Sequence, residues 1–433
     1  MIDEFQQEKI WVYNSGIEHN WQASHNGIRK VNNLKEQKIL NRQAELLFYI
    51  SDVNDTVFIV KDSDPEFLKD IEEFGIKKPN TILVPDLDHP ISKIILDDES
   101  VMAKLKLDYK NRDLLYVPYI LSKEDEEICK RCGFQIYGSS SNTVQSLNNK
   151  AFARRIVNEL GLPCIDGIIC DSKEKLDNGF NKLKLLGYNK FVIKEPYNSA
   201  GKGVFFIKDE KQFYNFLRMM RFDKQNNNFE VIIEGWIDEK RDINYQIEIS
   251  KDGVVNLIAL TEQIISVTAY KGSLFPAEIT NKQTEYYNDC AQIIGKKLYE
   301  IGFTGIIGID SIISKSGEIY PAIEFNARLN QSTFYIPFLN YFNNKNRRVL
   351  IRSYDIKTNN ILEYTQLKKI LINNRLLYNS KEELGIIILN SSCLSIYKDE
   401  DGNYESRLYL ANVYKDNDNY HFAQLDQFLK QIN

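Results

Sequence analysis

This chain of 433 residues has no stretch fit to span a membrane. Its longest apolar runs, such as Leu384–Leu389, fall far short of the roughly 20 residues a spanning helix needs. The opening residues Met1–Phe5 are acidic and contain no apolar segment, so no secretory signal and a cytoplasmic location are expected. Excess positive charge is missing too. The net charge of −5 offers no overall basic field and argues against nucleic acid as the main partner. Histidine is scarce: His19, His25, His89 and His421 are scattered without metal-ligand spacing. Six cysteines (Cys129, Cys132, Cys164, Cys170, Cys290 and Cys393) read as free thiols, and the CxxC of Cys129 and Cys132 has neither a second pair nor a nearby histidine. Repeats and low-complexity segments are absent. With 43% apolar and 27% charged residues, what remains is a globular protein whose length predicts two or three domains.

The first part alternates strands and helices. Strands are expected at Lys9–Tyr13, Val57–Val60, Thr81–Val84, Leu114–Tyr119 and Phe134–Tyr137, with helices at Lys35–Ile50, Pro65–Phe74 and Lys123–Gly133. That alternation predicts a parallel, Rossmann-like α/β sheet. No GxGxxG follows the first strand, so a dinucleotide is not expected there. Loops at strand C-termini are where such sheets meet ligands. Asn14–Glu18 and Gly138–Asn142 are therefore candidates for substrate contact, with a purely structural role as the stronger reading.

From Asn142 the pattern changes. One helix is expected over Val144–Leu160 with Lys150 midway along it. Strand Ile165–Cys170, helix Ser172–Leu186 and strands Lys190–Lys194 and Gly203–Phe206 follow, then helix Glu210–Arg221 and strand Glu230–Gly235. Antiparallel strands are expected at Asp242–Ile249, Val254–Glu262 and Gln263–Tyr270, then helix Thr284–Ile301. The small-residue loop Ser199–Gly203 joins two strands, so it is no Walker A loop, yet its amides suit a phosphate, and Lys194 stands just before it. An apolar strand ends at Glu234-Gly235-Trp236-Ile237, a hinge suited to an adenine edge. Asp242 lies eight residues beyond Glu234, in reach of a ribose.

The hairpin Gly308–Arg328 carries the densest chemistry. Strands Gly305–Ile313 and Glu318–Phe325 meet at Lys315-Ser316-Gly317. Period-two alternation puts Glu324, Asn326 and Arg328 on one face, opposite Asp310 if the register allows. Two carboxylates and an amide oxygen suit Mg²⁺, and the guanidinium suits a phosphate or carboxylate. Read alone, the hairpin fits a solvated acidic strand edge equally well.

In order and spacing, residues 142–338 resemble the ATP-grasp superfamily of carboxylate ligases. The resemblance implies that Lys150 and Lys194 bind nucleotide phosphates and that Ser199, Gly201 and Gly203 belong to the phosphate loop. It makes Glu234, Trp236 and Ile237 the adenine hinge and Asp242 the ribose carboxylate. It makes Asp310, Glu324 and Asn326 the magnesium ligands. D-alanine ligases have an arginine two residues before the metal aspartate. Gly308 stands there instead, so the resemblance assigns catalytic charge stabilisation to Arg328, with Lys194 beside it. ATP and Mg²⁺ are the implied cofactors. The implied fold is α/β, α+β in part: a Rossmann-like pre-ATP-grasp domain (1–142), an ATP-grasp domain (143–340, lid about 165–236) and a small α+β domain (341–433) ending in a helix at Phe422–Ile432. The layout looks most like pheganomycin-type peptide ligases and butirosin-type ligases that load an acyl carrier protein. It implies an amino acid or other carboxylate substrate activated as an acyl phosphate, with an amine as acceptor and a carrier-protein thiol as the alternative. A homodimer is compatible with it. A non-catalytic ATP-binding module and a biotin-dependent carboxylase subunit are the remaining readings. The loop Thr268–Pro276, bearing Tyr270, Lys271 and Ser273, is a candidate substrate wall, with Glu262 and Gln263 near it.

Overall fold

The computed structural model describes residues 7–21, 34–110, 112–197, 203–220, 229–266, 269–415 and 425. Strands β1 (Glu8–Val12), β2 (Thr56–Ile59), β3 (Asn80–Leu83), β4 (Leu114–Pro118) and β5 (Gln135–Ile136) form a parallel sheet in the order 3-2-1-4-5. The central strands are apolar at successive positions and buried throughout, as a parallel sheet covered on both faces requires. The helix expected over Lys35–Ile50 is an α-helix at Leu34–Arg42 that tightens into a 3-10 helix at Gln43–Tyr49. Inside that tight turn the buried Glu45 accepts hydrogen bonds from the amides and hydroxyls of Ser391 and Ser392, tying the first sheet to the far end of the chain.

Asn14, just past β1, is the hub that shapes the ligand-facing edge of this sheet. Its amide donates to the Ile120 carbonyl (2.8 Å) and to Asp125 (2.7 Å), and its oxygen accepts from the Ile120 amide (3.0 Å). Asp125 also receives Ser122 and Tyr116. Burial pushes the Asp125 carboxyl up to about 7, against the pull of those hydrogen bonds. A carboxyl with a raised native pKa holds its proton more tightly folded than unfolded. Its contribution is therefore fully present below about pH 4 and lost as pH rises to about 7. Asp125→Asn should flatten that part of the stability profile, read by urea unfolding at several pH values. An unchanged slope would place the dependence elsewhere.

Strands β6 (Gly167–Cys170), β7 (Phe191–Lys194), β8 (Val204–Ile207) and β9 (Val231–Gly235) form an antiparallel sheet in the order 6-9-7-8. It has its own apolar cluster, in which Phe180 and Phe213 stack with ring centres 3.9 Å apart. The remaining strands build one nine-stranded sheet: β10 (Lys240–Ile249), β11 (Val255–Ser266), β12 (Ala269–Phe275), β13 (Gly305–Ser314), β14 (Ile319–Asn326), β15 (Arg348–Thr358), β16 (Gly385–Ile388), β17 (Tyr397–Lys398) and β18 (Tyr404–Tyr414). The strands beyond residue 341 join this sheet through pairing of β12 with β15.

Three sequence expectations change. The helix expected over Val144–Leu160 is two helices, Ser141–Leu147 and Lys150–Glu159. The break falls where Asn149 caps the second helix, accepting from the Ala151 and Phe152 amides. Lys150 is therefore the first residue of a helix, not its middle. Val254–Glu262 and Gln263–Tyr270 are not two strands, because β11 runs unbroken from Val255 to Ser266. The expected Thr268–Pro276 loop is mostly strand β12. The expected helix Phe422–Ile432 lies outside the described residues apart from Leu425. Among the described residues, no helix is long and apolar enough to cross a membrane.

Candidate active site

The ladder between β13 and β14 pairs Asp310 directly with Glu324, and Gly308 with Asn326. The two carboxylates thus face each other on one side of the hairpin. Burial and the neighbouring Glu324 push Asp310 up to about 6, although Asn244, Asn326 and Arg328 pull it down. Asn244 (2.8 Å) and Gln263 (3.1 Å) donate to one oxygen of Asp310, and Asn326 (3.1 Å) to the other. Lys150 reaches across to Glu324, 2.9 Å away. Like charges at adjoining, half-buried positions, all oxygen donors, form a site that a hard divalent cation would relieve. The donor set is two carboxylates and an amide. Among the described residues, no three His, Cys, Asp or Glu side chains gather as a metal centre.

Arg328 lies just beyond β14. It donates to the Tyr119 hydroxyl (3.0 Å), the Leu329 carbonyl (3.2 Å) and Asn326 (2.8 Å), and its guanidinium packs over the Tyr119 ring. Burial opposes its charge, but Tyr119, Glu18, Glu324 and Asp310 outweigh that and raise its pKa. The missing arginine at Gly308 has a steric reason. A Cβ on Gly308 would stand 2.1 Å from the side-chain amide of Asn330, which fills that space.

Above this floor lies a cavity of about 300 Å³. Lys150, Lys194, Glu234, Trp236, Ile237, Asp242, Tyr270, Asp310, Glu324, Asn326 and Arg328 all line it. Residues as distant in sequence as Lys150 and Tyr409 thus share one space. The lining includes the apolar side chains of Ile165, Val192, Val204, Ile237, Ile312 and Ile323. The Lys240 ammonium, also lining the cavity, lies 2.7 Å from Asp242 and 4.9 Å from the centre of the Trp236 ring. The Trp236 amide is occupied by the Lys190 carbonyl at 2.9 Å. Glu234 is buried, and its carboxylate receives Lys194 at 2.6 Å and Arg154. Burial raises its pKa, but these two cations outweigh that and hold it below the usual range.

Not every candidate gathers here. Ser199 and Gly201 lie outside the described residues. Gly203 is described, with φ at +64°, and its carbonyl accepts from the Glu195 amide. Ser273 is buried against Tyr270, the two hydroxyls 2.8 Å apart, while Lys271 is not among the lining residues. Gln263 lines the cavity, whereas Glu262 pairs with Arg241 outside it. The two early loops part ways. Ser15, Gly16 and Glu18 reach the cavity, while Ser139 is bonded to Thr304. Glu18 is buried, with its carboxylate accepting from the Gly16 amide at 3.1 Å.

Sequence reasoning missed Arg154, Tyr13, Tyr119, Lys240 and Tyr409. Arg154 was within reach, since it follows Lys150 by four residues, one helical turn. Tyr119 follows β4 and Tyr409 lies on β18, and only the folded chain brings them into one cavity, where Tyr119 meets Arg328.

Residues 190–326 match a family model described as L-aspartate--L-methionine ligase, ATP grasp. The [Butirosin acyl-carrier protein]--L-glutamate ligase of Niallia circulans is 29% identical over 338 residues, 76% of this chain and 74% of that protein. The N5-carboxyaminoimidazole synthetase of Staphylococcus aureus, solved in complex with ADP, superposes with a TM-score of 0.54 at 13% identity, covering 99% of this chain and 98% of its own. A biotin carboxylase from Campylobacter jejuni, solved as a beta-gamma-ATP complex, gives 0.55 at 14% identity, covering 95% and 89%.

Proposed function

We propose that the chain is an ATP-grasp ligase, as its likeness to such enzymes supports, and that it activates the carboxylate of an amino acid as an acyl phosphate and joins it to an amine in specialised metabolism. The observation that carries this reading is one cavity holding Lys150, Lys194, the Asp310–Glu324 pair and Arg328. The apolar lining side chains would take the adenine, with the hinge donor falling to the Ile237 amide because that of Trp236 is occupied. Asp242 and Lys240 would meet the ribose, and Lys150 and Lys194 the phosphates. Asp310, Glu324 and Asn326 would hold Mg²⁺, which when bound neutralises phosphate charge. Phosphoryl transfer asks for positioning and charge neutralisation more than for covalent help from the protein. Arg328 would hold the substrate carboxylate in line and stabilise the charge on the acyl phosphate. Glu18, an acid in the same cavity, suits the ammonium of an amino acid. Attack by the acceptor amine on the carbonyl carbon then expels phosphate.

Transfer to a carrier-protein thiol is the second reading, favoured by the likeness to the butirosin acyl-carrier protein ligase over three quarters of the chain. One screen separates the two. ADP release is measured with amino acids singly, in pairs, and with a phosphopantetheinylated carrier protein, and products are identified by mass. Amide products with paired amino acids support the first reading. Carrier thioesters alone support the second, and no ADP release with any acid contradicts both.

A further inference from the structure

The Lys150–Glu159 helix presents Lys150 and Arg154 one turn apart, so both leave the same face. Lys150 reaches down to Glu324 on the floor of the cavity, and Arg154 reaches up to Glu234 on β9. Arg154 also donates to the carbonyls of Ile165 (2.7 Å) and Gly167 (3.3 Å), so its position does not depend on Glu234 alone. The chain makes room for this contact. A Cβ on Gly167 would stand 2.6 Å from Cγ of Glu234 and 3.1 Å from the Arg154 guanidinium.

Glu234 is 3% exposed and carries two cations on separate oxygens: Arg154 on Oε1 and Lys194 on Oε2. The Lys194 ammonium lies 2.6 Å from Oε2 without hydrogen-bond alignment, and among the described residues Oε2 has no hydrogen-bond partner. A lysine that neutralises a phosphate must turn away from such a carboxylate. Taking one partner from a buried ion pair strands a charge, and that is far costlier than the pair was worth. Glu234 escapes this penalty because Arg154 stays.

We propose that Arg154 is a positioning residue: the standing counter-ion of Glu234 that frees Lys194 to bind the phosphates of a nucleotide. The inference rests on the nucleotide reading of the cavity. It also predicts something a merely structural arginine would not, namely that the harm of losing Arg154 disappears once Glu234 carries no charge.

The test is calorimetric binding of a slowly hydrolysed ATP analogue with Mg²⁺, with thermal melts as the check on folding. Arg154→Met should weaken binding by about 10- to 100-fold, and Arg154→Lys should recover most of the loss. In a Glu234→Gln background, Arg154→Met should change affinity by less than about twofold. That comparison stands even if Arg154→Met alone fails to fold, because the double variant has no stranded charge. Unchanged affinity in Arg154→Met, or an equal loss in both backgrounds, would overturn the proposal. Failure of the unaltered protein to bind the analogue would instead overturn the nucleotide reading.

Discussion

Glu324→Ala should reduce Mg²⁺-dependent ADP release by about two to three orders of magnitude while leaving the fold intact. The side chain is 21% exposed and lines a cavity, so its loss opens no hole in the apolar core. It does remove one of two facing carboxylates. The buried Lys150 loses one counter-charge at 2.9 Å, and Asp310 loses the neighbour that helps push its pKa up to about 6. The variant should therefore fold but melt somewhat lower than the unaltered protein, and need far more Mg²⁺ for any residual turnover. Full activity at ordinary Mg²⁺ would remove Glu324 from the metal site and return the hairpin to a plain acidic edge.

Arg328→Met should lower kcat by about 100- to 1,000-fold, the usual effect of losing one well-placed charge donor, with little change in KM for ATP. The geometry explains why Arg328→Lys should not rescue it. Nη1 donates to the Tyr119 hydroxyl and the Leu329 carbonyl while Nη2 donates to Asn326, a planar fork that a single ammonium cannot reproduce. A rise in KM for ATP at constant kcat would move Arg328 from the reacting carboxylate to nucleotide binding.

The hairpin was the most legible part of the sequence. Strand alternation alone places Glu324, Asn326 and Arg328 on one face, and the observed register sets Asp310 against Glu324. The parallel first sheet was legible for a similar reason, since buried strands read as apolar runs between helical segments. Errors arose where a local pattern ran across a boundary. Apolar residues continue from Val144 through Ile156, which hides the break that Asn149 makes by capping a new helix. Glu262 and Gln263 resemble a polar turn, yet in β11 they point to opposite faces, one to Arg241 and the other to Asp310. No local pattern reveals that Glu18, Tyr119 and Tyr409 line one cavity with Arg328 and Tyr270, because that depends on how the sheets stack. Gly308 lies between these cases. The absence of arginine there was plain, but its cause, the Asn330 amide in that space, shows only in three dimensions.

The central claim is an acyl phosphate formed at Arg328, and transfer of heavy oxygen tests it most directly. The carboxylate that supports ADP release is labelled in both oxygens, and the phosphate released during turnover is analysed by mass. The account predicts one labelled oxygen in each phosphate formed, alongside ADP. Unlabelled phosphate, or AMP and pyrophosphate in place of ADP, would contradict it.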